Sequence, residues 1–138
     1  MNNKIITIIG LGYVGLPLAV EMGKKLKTYG YDISKKRIDD LKKSLDSTHE
    51  LKSSEIRRSK KLFFTTNVNS ISESDFIIVT VPTPVSSKYK PDFKMLKNAC
   101  KIIGKNLKKK SIIVFESTVY PGATRKVCIP IIEKFSKK

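Results

Sequence analysis

Ile5-Ile6 and Ile8-Ile9 run directly into Gly10-Leu11-Gly12-Tyr13-Val14-Gly15, and a helical pattern begins at Leu16. A β-branched run that breaks into glycines before a helix confines this part of the chain to a strand, a tight turn and a helix packed back on the strand. Each glycine has its own task. Gly10 permits the turn, Gly12 has no Cβ to obstruct phosphate groups, and Gly15 lets the helix settle onto the strand. The unpaired N–H groups and positive dipole end of that helix then face an anion. Chance turns also carry G-x-G-x-x-G, so a second element is needed. Asp32 ends another strand-like stretch, Lys27 to Tyr31, 22 residues beyond Gly10. A carboxylate about 20 residues on is the one that accepts from ribose hydroxyls. Turn and carboxylate together predict a Rossmann-type nucleotide site. The negative charge of Asp32 repels a 2′-phosphate, so the expected cofactor is NAD rather than NADP.

The rest of the chain alternates strands with helical patterns. That predicts an α/β fold, a Rossmann-like doubly wound and mainly parallel sheet with helices on both faces. Strands are expected at about 4–9, 28–32, 62–66, 76–81 and 112–115. The first helix is expected over about 13–26. A second starts from Ser34 as N-cap, with Ile38, Leu41 and Leu45 on one face. Residues 46–60 read as a polar loop with a short helix, less ordered than the rest, and 67–74 as a turn or short helix. Pro82-Thr83-Pro84 stops strand four, because neither proline can donate to a ladder. Pro91-Asp92 caps a long helix to about Leu107, with Leu96, Ile102 and Ile103 inward. Glu116 to Gly122 is a loop before a last helix, which Pro130 should kink or open.

A length of 138 residues, 40% of them hydrophobic, suits one soluble globular core spanning 1–138. The longest apolar runs fall far short of the ~20 residues that span a bilayer. A strand begins almost at Met1, with no signal-peptide pattern, so the expected location is the cytoplasm. Cys100 and Cys128 share no metal-ligand or C-x-x-C spacing and read as small buried apolar residues, and no metal site is expected. The one histidine, His49, lies in a polar stretch and reads as a solvated surface residue.

A net charge of +16 raises nucleic acid or a membrane surface as partners. Against both, the lysines are scattered along the chain and only four basic residues, at 37, 57, 58 and 125, are arginines. No RNP-like strand, zinc finger or helix-turn-helix pattern appears. The expectation is no specific nucleic acid and no membrane partner.

Ligands of open α/β sheets bind outside the carboxyl ends of the strands. Thr83 follows strand four, where a nicotinamide ribose or pyrophosphate would lie, unless Val-Pro-Thr-Pro is merely a rigid loop. Glu116-Ser117-Thr118 ends strand five. Its hydroxyls either bond a cofactor amide or a water, or cap local backbone. Arg37 either stacks on adenine or pairs with phosphate, or is an ordinary helix-surface arginine.

Four segments together resemble the UDP-glucose/GDP-mannose dehydrogenase family. They are Gly10-Leu-Gly-Tyr-Val-Gly-Leu-Pro17, Gly30-Tyr-Asp-Ile-Ser-Lys-Lys-Arg-Ile38, Asp75-Phe-Ile-Ile-Val-Thr-Val-Pro-Thr-Pro84 and Glu116-Ser-Thr-Val-Tyr-Pro-Gly122. The wording is most similar to the branch that oxidises UDP-N-acetylhexosamines, of the Vi-antigen and O-antigen type. The resemblance implies the NAD-binding domain of a nucleotide-sugar 6-dehydrogenase. Such an enzyme takes the C6 hydroxymethyl of a UDP-sugar to a carboxylate with two NAD, through a thiohemiacetal and thioester on cysteine, for capsule or O-antigen precursors. Carried over by position, Gly10, Gly12, Tyr13, Val14, Gly15, Asp32, Arg37, Thr83 and Thr118 would contact NAD, and Thr118 would also position the catalytic water. The family's catalytic cysteine, its lysine and asparagine partners and its glutamate match nothing here. Its central dimerisation helix and UDP-sugar domain are likewise unmatched. The resemblance therefore implies a chain that is inactive alone, while the full-length form is a homodimer or higher. A stand-alone NAD-binding or interaction module is the alternative.

Overall fold

The computed structural model describes residues 3–116 and 122–136. Five strands, β1 (Ile5–Ile9), β2 (Lys27–Tyr31), β3 (Leu62–Thr65), β4 (Phe76–Val79) and β5 (Ile112–Phe115), pair in parallel in the order β3-β2-β1-β4-β5. The winding reverses between β1 and β4, the switch point of a doubly wound, Rossmann-like sheet.

Both faces of the sheet are buried, and the period-two alternation of strand side chains assigns each residue to a face. Ile6 and Ile8 of β1 and Ile78 of β4 meet α1 (Gly15–Gly23), α2 (Lys35–Lys42) and α3 (Ser53–Arg57) through Leu16, Ala19, Ile38 and Ile56. Ile9, Ile77 and Val79 face α4 (Asn69–Glu73), α5 (Lys94–Asn106) and α6 (Ile129–Ser136) through Ile71, Leu96, Cys100, Ile103 and Ile132. Ile8, Ile77, Leu96 and Ile103 are fully buried, and each such side chain contributes about 1.5–3 kcal/mol relative to exposure. Helices α5 and α6 approach so closely that a Cβ on Gly104 would lie 2.7 Å from the Ile132 carbonyl oxygen.

The expected elements are present, with four differences that have physical causes. Ser34 caps α2 by accepting from the Arg37 N–H at 3.2 Å, but α2 ends at Lys42 and Ser44 turns into positive φ. Leu45 therefore leaves the apolar face and is 52% exposed. Helix α1 is shorter than its apolar pattern, because Lys24, Lys25 and Leu26 already turn towards β2. Strand β4 stops at Val79, where Thr80 spends its hydroxyl on the Ile9 and Gly10 carbonyls. Pro91 does not open α5. It pairs with Val85 in an antiparallel bridge, while Asp92 accepts from the Lys94 N–H at 2.9 Å.

Before α6 the chain widens into a π-helical turn, Thr124–Cys128. Proline collides with the carbonyl four residues earlier and lacks an N–H, so a wide turn just ahead of Pro130 relieves the strain. Among the described residues no helix is long and apolar enough to cross a membrane, and no cluster of His, Cys, Asp or Glu fits a metal ion.

Candidate nucleotide-binding site

The turn after β1 is held from beneath. Gly10 adopts φ +94° and donates its N–H to the Tyr31 carbonyl at 2.9 Å. A Cβ on Gly10 would press on Val81 at 3.0 Å, and one on Gly15 would overlap the Gly10 carbonyl oxygen and the Thr80 hydroxyl. The protein itself thus demands glycine at 10 and 15. At Gly12 nothing lies within 4 Å of where a Cβ would stand, so a demand for glycine there comes from a group approaching from outside. The N–H groups of Gly12, Tyr13 and Val14 find no acceptor among the described residues, as befits the anion-facing start of a helix.

Leu11, between the glycines, is gripped at both ends of its backbone. Its N–H donates to Asp32 Oδ2 at 3.0 Å, and its carbonyl accepts from Arg37 Nε and Nη2 at 2.9 and 2.6 Å. Asp32 Oδ1 accepts from the Ser34 N–H at 2.9 Å. Each Asp32 oxygen keeps a lone pair for a further donor. Tyr31, just before it, is buried, and burial first and the Asp32 charge second push its phenol up.

Arg37 is not an ordinary surface arginine. Its side chain is only 10% exposed, and Nη1 donates to Asp46 Oδ1 at 2.9 Å and Ser47 Oγ at 3.1 Å. Asp46 in turn organises the loop after α2. Oδ1 accepts from the Thr48 N–H and hydroxyl, and Oδ2 from the N–H groups of Glu50 and Leu51. Burial opposes the charge of Asp46, but the hydrogen bonds from Thr48, Arg37 and Leu51 outweigh it and hold its carboxyl well below the usual range. The stretch read as poorly ordered is therefore a compact loop wound on one carboxylate.

Beside Gly10 and Asp32 opens a mostly apolar slot between Ile33, Val81, Met95 and Ile102, with the Asn98 amide on its wall. Ile33 and Met95 are 72% and 50% exposed, a large apolar outlay at the strand ends, where a flat ring gains by covering them. A wider open groove lies against β3, lined by Lys42, Arg57 and Phe64, away from the glycine turn.

The sequence-predicted residues mostly converge on this edge. Tyr13 and Val14 stand exposed at its mouth. Thr83 lies half-buried past Pro82, and Glu116 ends β5 with its N–H on the Val79 carbonyl. Ser117 and Thr118 lie outside the described residues. Three residues of the site were not singled out from sequence: Asp46, Thr80 and Asn98. Only Thr80 carries a signal, a hydroxyl directly after an apolar strand.

His49 is exposed, as expected. Cys100 and Cys128 are both fully buried and belong to one core cluster, a nearness that their separation in sequence hides. Burial pushes both thiols up, and for Cys100 the neighbouring Cys128 adds to it.

Residues 4–138 match the model of the UDP-glucose/GDP-mannose dehydrogenase family, NAD binding domain. The chain is 47% identical over 136 residues to UDP-N-acetyl-D-glucosamine 6-dehydrogenase of Pseudomonas aeruginosa, covering 99% of this chain and 32% of that protein. It is 43% identical to Protein CapL of Staphylococcus aureus, covering 97% of this chain and 31% of the relative. Among solved structures, a ternary complex of GDP-mannose dehydrogenase from Pseudomonas aeruginosa superposes with a TM-score of 0.89 at 29% identity, over 100% of this chain and 33% of the other. The chain thus spans about a third of the length of the relatives it matches.

Proposed function

The chain belongs to the UDP-glucose/GDP-mannose dehydrogenase family, and from that membership we propose that residues 1–138 form the NAD-binding domain of a cytoplasmic nucleotide-sugar 6-dehydrogenase. The substrate class is a UDP-N-acetylhexosamine, in line with the names of the relatives at 47% identity. The overall reaction takes C6 from alcohol to carboxylate for surface polysaccharide precursors, and two NAD supply the oxidising capacity when bound.

One observation carries the cofactor assignment: the empty space over Gly12 lies next to a Leu11 peptide held by Asp32 and Arg37. The pyrophosphate sits over Gly12 against the N–H groups of Tyr13 and Val14. Asp32 takes the adenosine ribose hydroxyls on its remaining lone pairs. The adenine enters the slot of Ile33 and Met95. The Arg37 guanidinium, its donors largely engaged with Leu11 and Asp46, offers a flat face rather than a phosphate clamp. Thr83, past the end of β4, is assigned to the nicotinamide end, and the family resemblance alone assigns Thr118 a part in binding NAD and in positioning the catalytic water.

On its own this chain forms no NADH, because its two thiols are buried and pushed up rather than paired with a base. Calorimetric titration with NAD and NADP, repeated on Asp32→Ala, tests the site. Saturable NAD binding, weaker NADP binding and loss of that preference in the variant are expected. A folded chain that ignores NAD would remove the assignment, and NADH formation from UDP-N-acetylglucosamine would remove the inactivity.

A further inference from the structure

In a parallel sheet the chain enters every strand along one edge, here the edge opposite Gly10 and Asp32. That edge collects lysines that the linear sequence scatters. Lys4 precedes β1, Lys25 precedes β2, Lys60 and Lys61 precede β3, and Lys109 and Lys110 precede β5. Strand register sets them in one row, with Ile5 beside Lys27, Thr28 beside Leu62 and Phe76 beside Ile112. All six side chains are exposed.

Three acids share the edge, and each is already paired: Glu21 with Lys24 at 2.6 Å, Glu73 with Lys27 at 3.9 Å and Asp75 with Lys108 at 2.9 Å. Those pairs cancel, and the six lysines form no ion pair among the described residues. Helix C-termini also arrive here and favour cations, but that effect accounts for a lysine at each helix end, not for a row in front of the strands. With neighbouring strands about 4.8 Å apart, the five strand starts span roughly 20 Å. Two apolar side chains flank it on the outer strands, Phe63 at 50% and Ile112 at 53% exposure.

We propose that this edge is a docking surface for an anionic phospholipid bilayer. Lysine ammonium groups are flexible point charges suited to headgroup phosphates, and they lack the planar fork that lets arginine bind bidentately. Apolar residues at the ends of the row favour the interfacial layer of a bilayer over the purely polar flank of a duplex. Docked this way, the nucleotide edge faces away from the membrane. The expectation of no membrane partner rested on charge scattered in sequence, and the polarity of the sheet removes that ground.

Sedimentation of the full chain with vesicles tests this, using phosphatidylcholine alone and with about a third phosphatidylserine at roughly 0.1 M salt. Binding to the anionic vesicles is expected to exceed that to neutral ones by at least ~10-fold. The variant Lys25→Glu/Lys60→Glu/Lys109→Glu/Lys110→Glu should lose it. Lys36→Glu/Lys88→Glu/Lys90→Glu/Lys94→Glu, with the same change of charge on the nucleotide edge, should retain it within about threefold. Melting curves confirm that each variant is folded, and a Lys→Gln set at the same positions replaces one that is not. No binding by the unaltered chain, or equal loss in both variants, overturns the proposal. So does tighter binding to a DNA duplex that only the first variant loses, which would make the surface one for nucleic acid.

Discussion

Arg37 Nη1 lies 2.9 Å from Asp46 Oδ1, and through this contact the loop after α2 reaches the Leu11 carbonyl in the glycine turn. Neither side chain is accessible enough for this to be a surface ion pair, with exposures of 10% and 0%. The pair is a strut under the turn.

Asp46→Asn should therefore destabilise the chain at neutral pH. Asn keeps one acceptor oxygen but gives up the charge and the acceptor for Glu50 and Leu51. A loss of about 2–3 kcal/mol is expected from hydrogen bonds to a charged group, a melting point lower by roughly 10 °C. The pH dependence has a definite sign. A carboxyl held below its unfolded value of about 4 contributes stability that is complete above that pH and is lost as pH falls through the folded value. The gap between native chain and variant should be widest near neutrality and shrink only below about pH 4. Melting curves from pH 3 to 7 that run parallel would contradict this.

Arg37→Lys should weaken NAD binding by about tenfold, since one ammonium cannot span Leu11 and Asp46 as the guanidinium fork does. If the strut works as a unit, combining it with Asp46→Asn should cost little more than the worse single change. Additive losses in the calorimeter would show two independent effects.

Two glycines offer a paired comparison. Gly15→Ala drives a methyl into the Gly10 carbonyl and Thr80 hydroxyl, and a loss of roughly 3 kcal/mol or outright misfolding is expected. Gly12→Ala meets no protein atom, so its melting point should stay within about 2 °C while NAD binding falls at least ~10-fold. An undisturbed NAD titration for Gly12→Ala would move the pyrophosphate elsewhere.

Cys100 and Cys128 should resist iodoacetamide at pH 8 in the native chain and react only on unfolding, because burial keeps both as thiols. Mass spectrometry of timed quenches would reveal either one labelling under native conditions.

The order of strands and helices was readable because parallel strands buried on both faces leave uninterrupted Ile and Val runs, and glycines mark the one turn whose geometry is unusual. Asp32 was readable for the same reason, through its spacing from that turn. Leu45 was misplaced because periodicity carries no notice of where a helix ends, and Ser44 ends it with a positive φ. Asp46 was missed because its importance comes from five donors converging in three dimensions, none at a recognisable spacing. The nearness of the two cysteines and the lysine row were hidden alike, since each depends on which segments the topology brings together.

Strand β1 is made first and has its neighbours on both sides assigned to later parts of the chain, β2 on one and β4 on the other. A growing polypeptide released as far as β3 can form the β3-β2-β1 half, yet β1 then shows a bare hydrogen-bonding edge until residues 76–79 emerge. Parallel partners cannot be supplied by a local hairpin, and the Thr7 hydroxyl waits as long for Ser74. During synthesis the vulnerable interval is thus the one between β3 and β4, when an open edge beside Ile6 and Ile8 can recruit another nascent chain. Slowed translation across residues 66–75 would lengthen that exposure and send more product into aggregates.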